Sequence, residues 1–220
     1  MEYANALRDS LSEISVEANK LPMEAYMKNH FKFFGIKSPE RKDALRKFIS
    51  AVKLPTENTF EEEVKALWLM PERELQYCAM EIVHRAKWAR KADSISLIEF
   101  MITEKSWWDT VDFIAASLCG EYFKFNATKT HEITRSWNQS NNMWLIRSSI
   151  LFQLKYKELV DLSLLEANML PHLSSKEFFI QKAIGWALRQ VSKSHQDWVQ
   201  DFVDNHELKP VSKREAIKYL

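Results

Sequence analysis

Trp108 and Asp112 stand one helical turn apart in the stretch EKSWWDTVDF, residues 104–113. Two adjacent tryptophans on a helix are rotated about 100° from one another, so Trp107 and Trp108 cannot face the same neighbour. Trp107, Val111, Ile114 and Leu118 follow a 4, 3, 4 spacing and read as a buried stripe in a helix starting at Ser106. That leaves Trp108 and Asp112 on a neighbouring stripe, where an aspartate is almost never fully buried without a partner. A second stripe, Phe178, Lys182, Trp186 and Arg189, alternates aromatic and basic residues, and Trp144 with Arg147 adds a third such pair. Rings interleaved with cations suit nucleic acid, where Lys and Arg meet phosphates and rings meet sugars or bases. Each stripe taken alone also fits a plainer account. Asp112 can be a solvated acid beside a packed Trp108, and Lys182 and Arg189 can lay their stems over a packed Trp186.

Other chemistry is poorly represented. His30, His84, His131, His172, His195 and His206 are scattered with no pair at a metal-ligand spacing, and none is assigned to a metal. There is no G-x-S-x-G elbow and no Walker loop. Cys78 and Cys119 each lie in an apolar helical run and read as buried free thiols. If the chain is an enzyme, a carboxylate and aromatic rings must carry the reaction.

The elements that would position these residues are helices. Apolar residues recur at three and four rather than two, as in VKALWLM, LIEFMI and FFIQKAIGWAL, and no alternating strand stands out. About a dozen helices joined by short polar loops account for the chain. Ser38-Pro39-Glu40 and Pro71-Glu72-Arg73-Glu74 read as helix starts, and Thr59…Glu62, Ser174…Glu177 and Ser212…Glu215 have the capping-box spacing. Only three glycines, Gly35, Gly120 and Gly185, argue against sandwiches, barrels and phosphate-cradling loops. Similar helices begin near residues 75, 110, 147, 182 and 216, a step of roughly 35 residues, enough for two helices and two turns. The expected fold is an all-α, α-α superhelix (solenoid) whose inner face binds, formed by a single domain over 1–220.

The net charge of +1 by itself points to no nucleic-acid partner. Residues 21–50, however, hold seven Lys/Arg against three Asp/Glu, and residues 57–81 hold two against seven, compatible with segregated basic and acidic faces. The first residues lack the basic and apolar regions of a signal peptide, and no apolar run of about 18 residues occurs. The expectation is a soluble cytoplasmic protein.

AYMKNHFKFFGIKSPERK (residues 25–42), EKSWWDTVD (104–112), WLIRSSILFQLKYK (144–157), SSKEFFIQKAIGWALRQ (174–190) and VSKREAIK (211–218) closely resemble the AlkD family of bacterial DNA alkylation repair glycosylases. The likeness runs over nearly the whole chain from about residue 21. The first 20 residues are less family-like and are read only as a helix. The resemblance implies HEAT-like repeats curved around double-stranded DNA in a concave groove. It implies excision of cationic N3- or N7-alkylated purines, such as 3-methyladenine and 7-methylguanine, with no metal or organic cofactor. The family's aromatic and carboxylate fall on Trp108 and Asp112, its second cleft tryptophan on Trp186, its cleft arginine on Arg147 and its N-terminal tyrosine on Tyr26. In that setting Asp112 faces the sugar, Arg147 clamps a phosphate, Tyr26 contacts DNA at or beside the lesion, and the protein acts as a monomer with no obligate protein partner. An inactive DNA-structure binder and a protein-binding scaffold are the alternatives that the residues leave open.

Overall fold

The computed structural model describes residues 1–220. It is all-helical, as the 3–4 periodicity predicts, and the only extended pairing is a bridge between Lys32 and Glu72. No helix is long and apolar enough to cross a membrane. The chain's contacts group into two compact units, Met1–Trp88 and Ala89–Leu220.

The first unit contains α1 (Glu2–Ser12), α2 (Glu17–Tyr26), α3 (Ser38–Val52), α4 (Phe60–Leu69) and α5 (Arg73–Arg85). α1 buries Tyr3, Ala4, Leu7 and Leu11 at helical spacing and packs against α3 and α4. α4 buries Phe60, Val64, Leu67 and Trp68 and pairs with α5. Each fully buried Leu or Phe contributes roughly 1.5–3 kcal/mol, so these stripes hold the unit together. Two acids serve as internal anchors. Glu63 accepts from the backbone N–H of Ala4 at 2.9 Å, which fixes the first turn of α1. Glu74 is wholly buried and accepts from the N–H groups of Phe34, Gly35 and Ile36 at 3.1, 2.9 and 3.0 Å. Gly35 has φ +83°, and a Cβ there would lie 2.2 Å from the Val16 carbonyl, so only glycine follows this path. The basic run of this unit is partly neutralised from within. Arg41 pairs with Glu81, Lys47 with Asp43 and Lys32 with Glu24, while Lys28, Lys37 and Lys42 form no ion pair.

The second unit contains α6 (Ile95–Thr103), α7 (Trp108–Phe113), α8 (Gly120–Phe125), α9 (Thr130–Asn138), α10 (Met143–Leu151), α11 (Leu162–Met169), α12 (Phe178–Val191), α13 (Gln196–Asn205) and α14 (Pro210–Ala216). Between α7 and α8 the helix continues through a π-helical stretch, Ile114–Cys119. The five segments of the 35-residue pattern all fall on helices: α5, α7, α10, α12 and α14. Within this unit they pack in order, α10 against the π-helical stretch, α12 against α10 and α14 against α12. Gly185 makes the last contact possible. A Cβ there would stand 2.6 Å from Glu215 Cβ and 2.7 Å from the Ser212 carbonyl. Ile180, Ala183, Ile184 and Ala187 of α12 are buried, as their spacing predicts, and so are Cys78 and Cys119.

Several helix starts differ from the expected signals. α7 begins at Trp108, with Trp107 extended at its cap position, so Trp107 leaves the stripe that Val111, Ile114 and Leu118 do form in the core. Thr59 precedes α4 but makes no cap bond, α12 starts at Phe178 rather than after Ser174, and Ser212 lies inside α14. Ser212 instead donates to the Gln181 carbonyl at 2.9 Å, and Glu215 to Ser212's C-terminal side is drawn into ion pairs. Tertiary partners outbid local capping at both positions. The real side-chain caps are Asn142, which accepts from the N–H groups of Trp144 and Leu145, and Asp161, which accepts from Leu164.

Candidate active site

Successive helices of the second unit bring Trp108, Asp112, Arg147, Phe178, Phe179, Lys182, Trp186, Arg189 and Glu215 around one open cavity of about 380 Å³. Seven of the eight residues singled out from the sequence therefore share one wall-to-wall space. The eighth, Tyr26, ends α2 in the first unit and is 69% exposed.

Asp112 projects from the first turn and a half of α7 and retains only 20% of its side-chain exposure. Arg147 grips it on both oxygens, Nε to Oδ1 at 2.8 Å and Nη2 to Oδ2 at 3.0 Å, the planar fork that guanidinium and carboxylate favour. The Arg147 Nη1 donates to the Phe179 carbonyl. Arg147 is 3% exposed, and α10 that carries it is fixed at its start by the Asn142 cap. Its Nε, Nη1 and Nη2 atoms are engaged by Asp112 and the Phe179 carbonyl, while the side chain also lines the cavity. Burial pushes the Asp112 carboxyl above its ordinary value, and the Arg147 hydrogen bonds and charge oppose that rise. The result is an acid held in place by one side chain while another face meets the cavity.

The rings divide into two groups. Trp107, Trp144 and Phe179 pack on one another with centroids 5.0–5.9 Å apart, and Phe178 meets Phe179 edge-on at 5.5 Å. Trp107 is half-buried here rather than in the core, and Trp144 supports Phe179 rather than pairing with Arg147 at a surface. Trp108 and Trp186 are half-buried rings on the cavity wall, and Phe178 is 55% exposed at its rim.

The cations of α12 converge on one acid. Lys182 Nζ lies 3.0 Å from Glu215 Oε1, Arg189 Nη1 lies 2.6 Å from Oε2, and Lys218 adds a third contact at 3.0 Å. Hydrogen bonds from Lys182 and Lys218 lead the causes that pull the Glu215 carboxyl down to about 2. Glu215 thereby sets where Lys182 and Arg189 point. No group of three His, Cys, Asp or Glu side chains is placed to hold a metal ion.

Sequence reasoning passed over Phe179 and Glu215. Phe179 was legible only as the second half of FF, and its role depends on the Trp107 and Trp144 rings. Glu215 carried a competing local signal, the capping-box spacing after Ser212.

The fold and the cavity define a helical-repeat protein with an aromatic, cationic cleft around one clamped carboxylate. The sequence profile of the DNA alkylation repair enzyme family matches residues 7–220, and the chain belongs to that family. It is also similar to the solved structure of a predicted DNA alkylation repair enzyme from Enterococcus faecalis. The TM-score is 0.85 at 30% identity, over 93% of this chain and 95% of that one. No curated protein matches the chain.

Proposed function

We propose that the protein is a DNA glycosylase that hydrolyses the N-glycosidic bond of cationic N3- or N7-alkylated purines in double-stranded DNA, 3-methyladenine and 7-methylguanine among them, and leaves an abasic site. The observation that carries this reading is Asp112, clamped on both oxygens by Arg147 and open to a cavity walled by Trp108 and Trp186. An alkylated purine already bears positive charge, so it leaves without protonation by a general acid. The C1′–N bond breaks with its electron pair going to the base, which becomes neutral, and positive charge builds on the sugar. A fixed carboxylate beside C1′ stabilises that charge and orients the water that attacks it. The water oxygen bonds to C1′ and its proton passes to Asp112 and then to solvent. One acid suffices because the leaving group needs no second one.

Trp108 and Trp186 offer ring faces to the cationic nucleotide, worth about 0.5–2 kcal/mol each. Arg147 is read as a positioning residue for Asp112, not as the phosphate contact. That contact falls to Lys182 and Arg189, with Phe178 at the rim; Tyr26 of the first unit is read separately, as a DNA contact that the family resemblance implies. The family membership and the likeness to the Enterococcus faecalis protein support a damaged-DNA substrate, and HEAT-like repeats acting as a monomer are part of the same reading.

Base release from duplex DNA containing 7-methylguanine tests it. Wild type is expected to release the base and Asp112→Asn to be slower by about 10²–10³-fold. Identical behaviour of the two proteins, or no release by wild type, sinks the enzyme reading.

A further inference from the structure

Asp112 and Trp186 also form part of the wall of an adjoining cavity of about 390 Å³, whose other lining includes Ser117, Lys155 and Gln190. Ser117 is present there because of the π-helical stretch. Five residues along an uninterrupted α-helix would turn Ser117 about 140° away from Asp112. The π-type turns reach i+5 and absorb the additional residue, so that Asp112 and Ser117 border one space. Such insertions concentrate at functional sites.

The polar groups in this second cavity are donors. Lys155 Nζ donates to Ser117 Oγ at 2.7 Å and lies 5.9 Å from the Phe113 ring centroid, and it forms no ion pair. Ser117 Oγ, while accepting that bond, keeps its own hydrogen to donate. Gln190 accepts from Lys193 through Oε1 at 3.0 Å, which leaves its amide hydrogens. The only carboxylate on the wall, Asp112, is committed to Arg147. In the first cavity Lys182 and Arg189 share the single carboxylate of Glu215 with Lys218, so positive charge remains in excess there as well. An exposed ammonium, a hydroxyl and an amide with no counter-charge match an acceptor-only anion.

We infer that Ser117, Lys155 and Gln190 form a phosphodiester subsite that holds one of the two phosphates flanking the nucleotide whose sugar faces Asp112. This rests on the glycosylase reading for the position of the sugar. Lys155 supplies the charge, and Ser117 fixes the ammonium beside Asp112's helix. The two cavities then grip the backbone on both sides of the shared Asp112–Trp186 wall.

The test uses full-length protein and duplexes carrying a tetrahydrofuran abasic analogue, with a neutral methylphosphonate replacing either flanking phosphate in turn. Wild type is expected to lose affinity at one of the two positions. Lys155→Ala is expected to be indifferent to that replacement and to lower the salt slope of log K by about 0.9, one phosphate's worth. Lys155→Arg is expected to restore both. The subsite is overturned if Lys155→Ala remains as sensitive as wild type, if neither replacement affects wild type, or if wild type does not bind the duplex. Base release by wild type is scored separately. Coupling without release keeps the subsite and removes the glycosylase reading, and release without coupling does the reverse.

Discussion

Each unit buries a carboxylate, and the two are solvated by different means. Glu74 of the first unit is enclosed by three backbone N–H groups from one loop, Phe34 to Ile36. Asp112 of the second unit is held by a single side chain, Arg147, and meets a cavity on its other side. Burial raises both carboxyls above their ordinary values, and what opposes the rise differs: backbone hydrogen bonds for Glu74, a guanidinium for Asp112. Backbone donors cannot leave without the chain changing its path, so Glu74 fixes a fold. A side-chain donor can share its acceptor with an incoming ligand, which is what the proposed function asks of Asp112. Burial alone does not distinguish a structural acid from a reactive one; the kind of donor and the open face do.

Substitutions can break this contrast. The largest expected effects are a matched pair. Asp112→Asn should cost base release about 10²–10³-fold while its urea midpoint moves little. Glu74→Ala should strand three buried N–H groups at no less than about 1 kcal/mol each, some 3 kcal/mol in all, seen as a lowered midpoint. If Asp112→Asn unfolds the protein as readily as Glu74→Ala does, the two acids are alike and the contrast fails.

Arg147→Gln should come next. Arg147 holds the Asp112 carboxyl down against the rise caused by burial. Its loss should move the acid limb of the pH profile of kcat/KM to higher pH, because protonation then removes the carboxylate sooner. A purely structural Arg147 would lower the rate without moving that limb. Trp186→Ala should weaken kcat/KM on a cationic base by about 2–30-fold, matching 0.5–2 kcal/mol of ring attraction. It should act less on binding to an uncharged abasic duplex. Glu215→Gln should act chiefly on stability rather than on rate. The Glu215 carboxyl sits at about 2 in the folded protein, below its ordinary 4.5. Its ion pairs therefore add stability that is full above pH 4.5 and lost as pH falls toward 2. The urea midpoints of wild type and Glu215→Gln should converge over that window.

Much of this was legible in the sequence because it depends on periodicity. The apolar stripe of α12 and the aromatic–basic stripe beside it follow from 3.6 residues per turn, and both are realised at Ile180–Ala187 and Phe178–Arg189. The even spacing of α7, α10, α12 and α14 was visible for the same reason. What was not legible depends on breaks in that period or on distant partners. Trp107 left its stripe because the helix starts two residues later, at Trp108. Ser117 reached Asp112's side only through a π-type turn, which leaves no simple residue signature. Glu215 was masked by a plausible capping pattern, and Arg147 could be seen as a cation but not as one already spoken for by Asp112.

Gly185 has a consequence beyond packing. With no room for a methyl group between α12 and α14, the clearance there sets how far Glu215 stands from Lys182 and Arg189. A single added carbon would push α14 outward, lengthen those ion pairs and leave the cleft more positive, with no charged residue altered. The electrical character of the cleft is in this sense a steric tolerance, written at a position that bears no side chain.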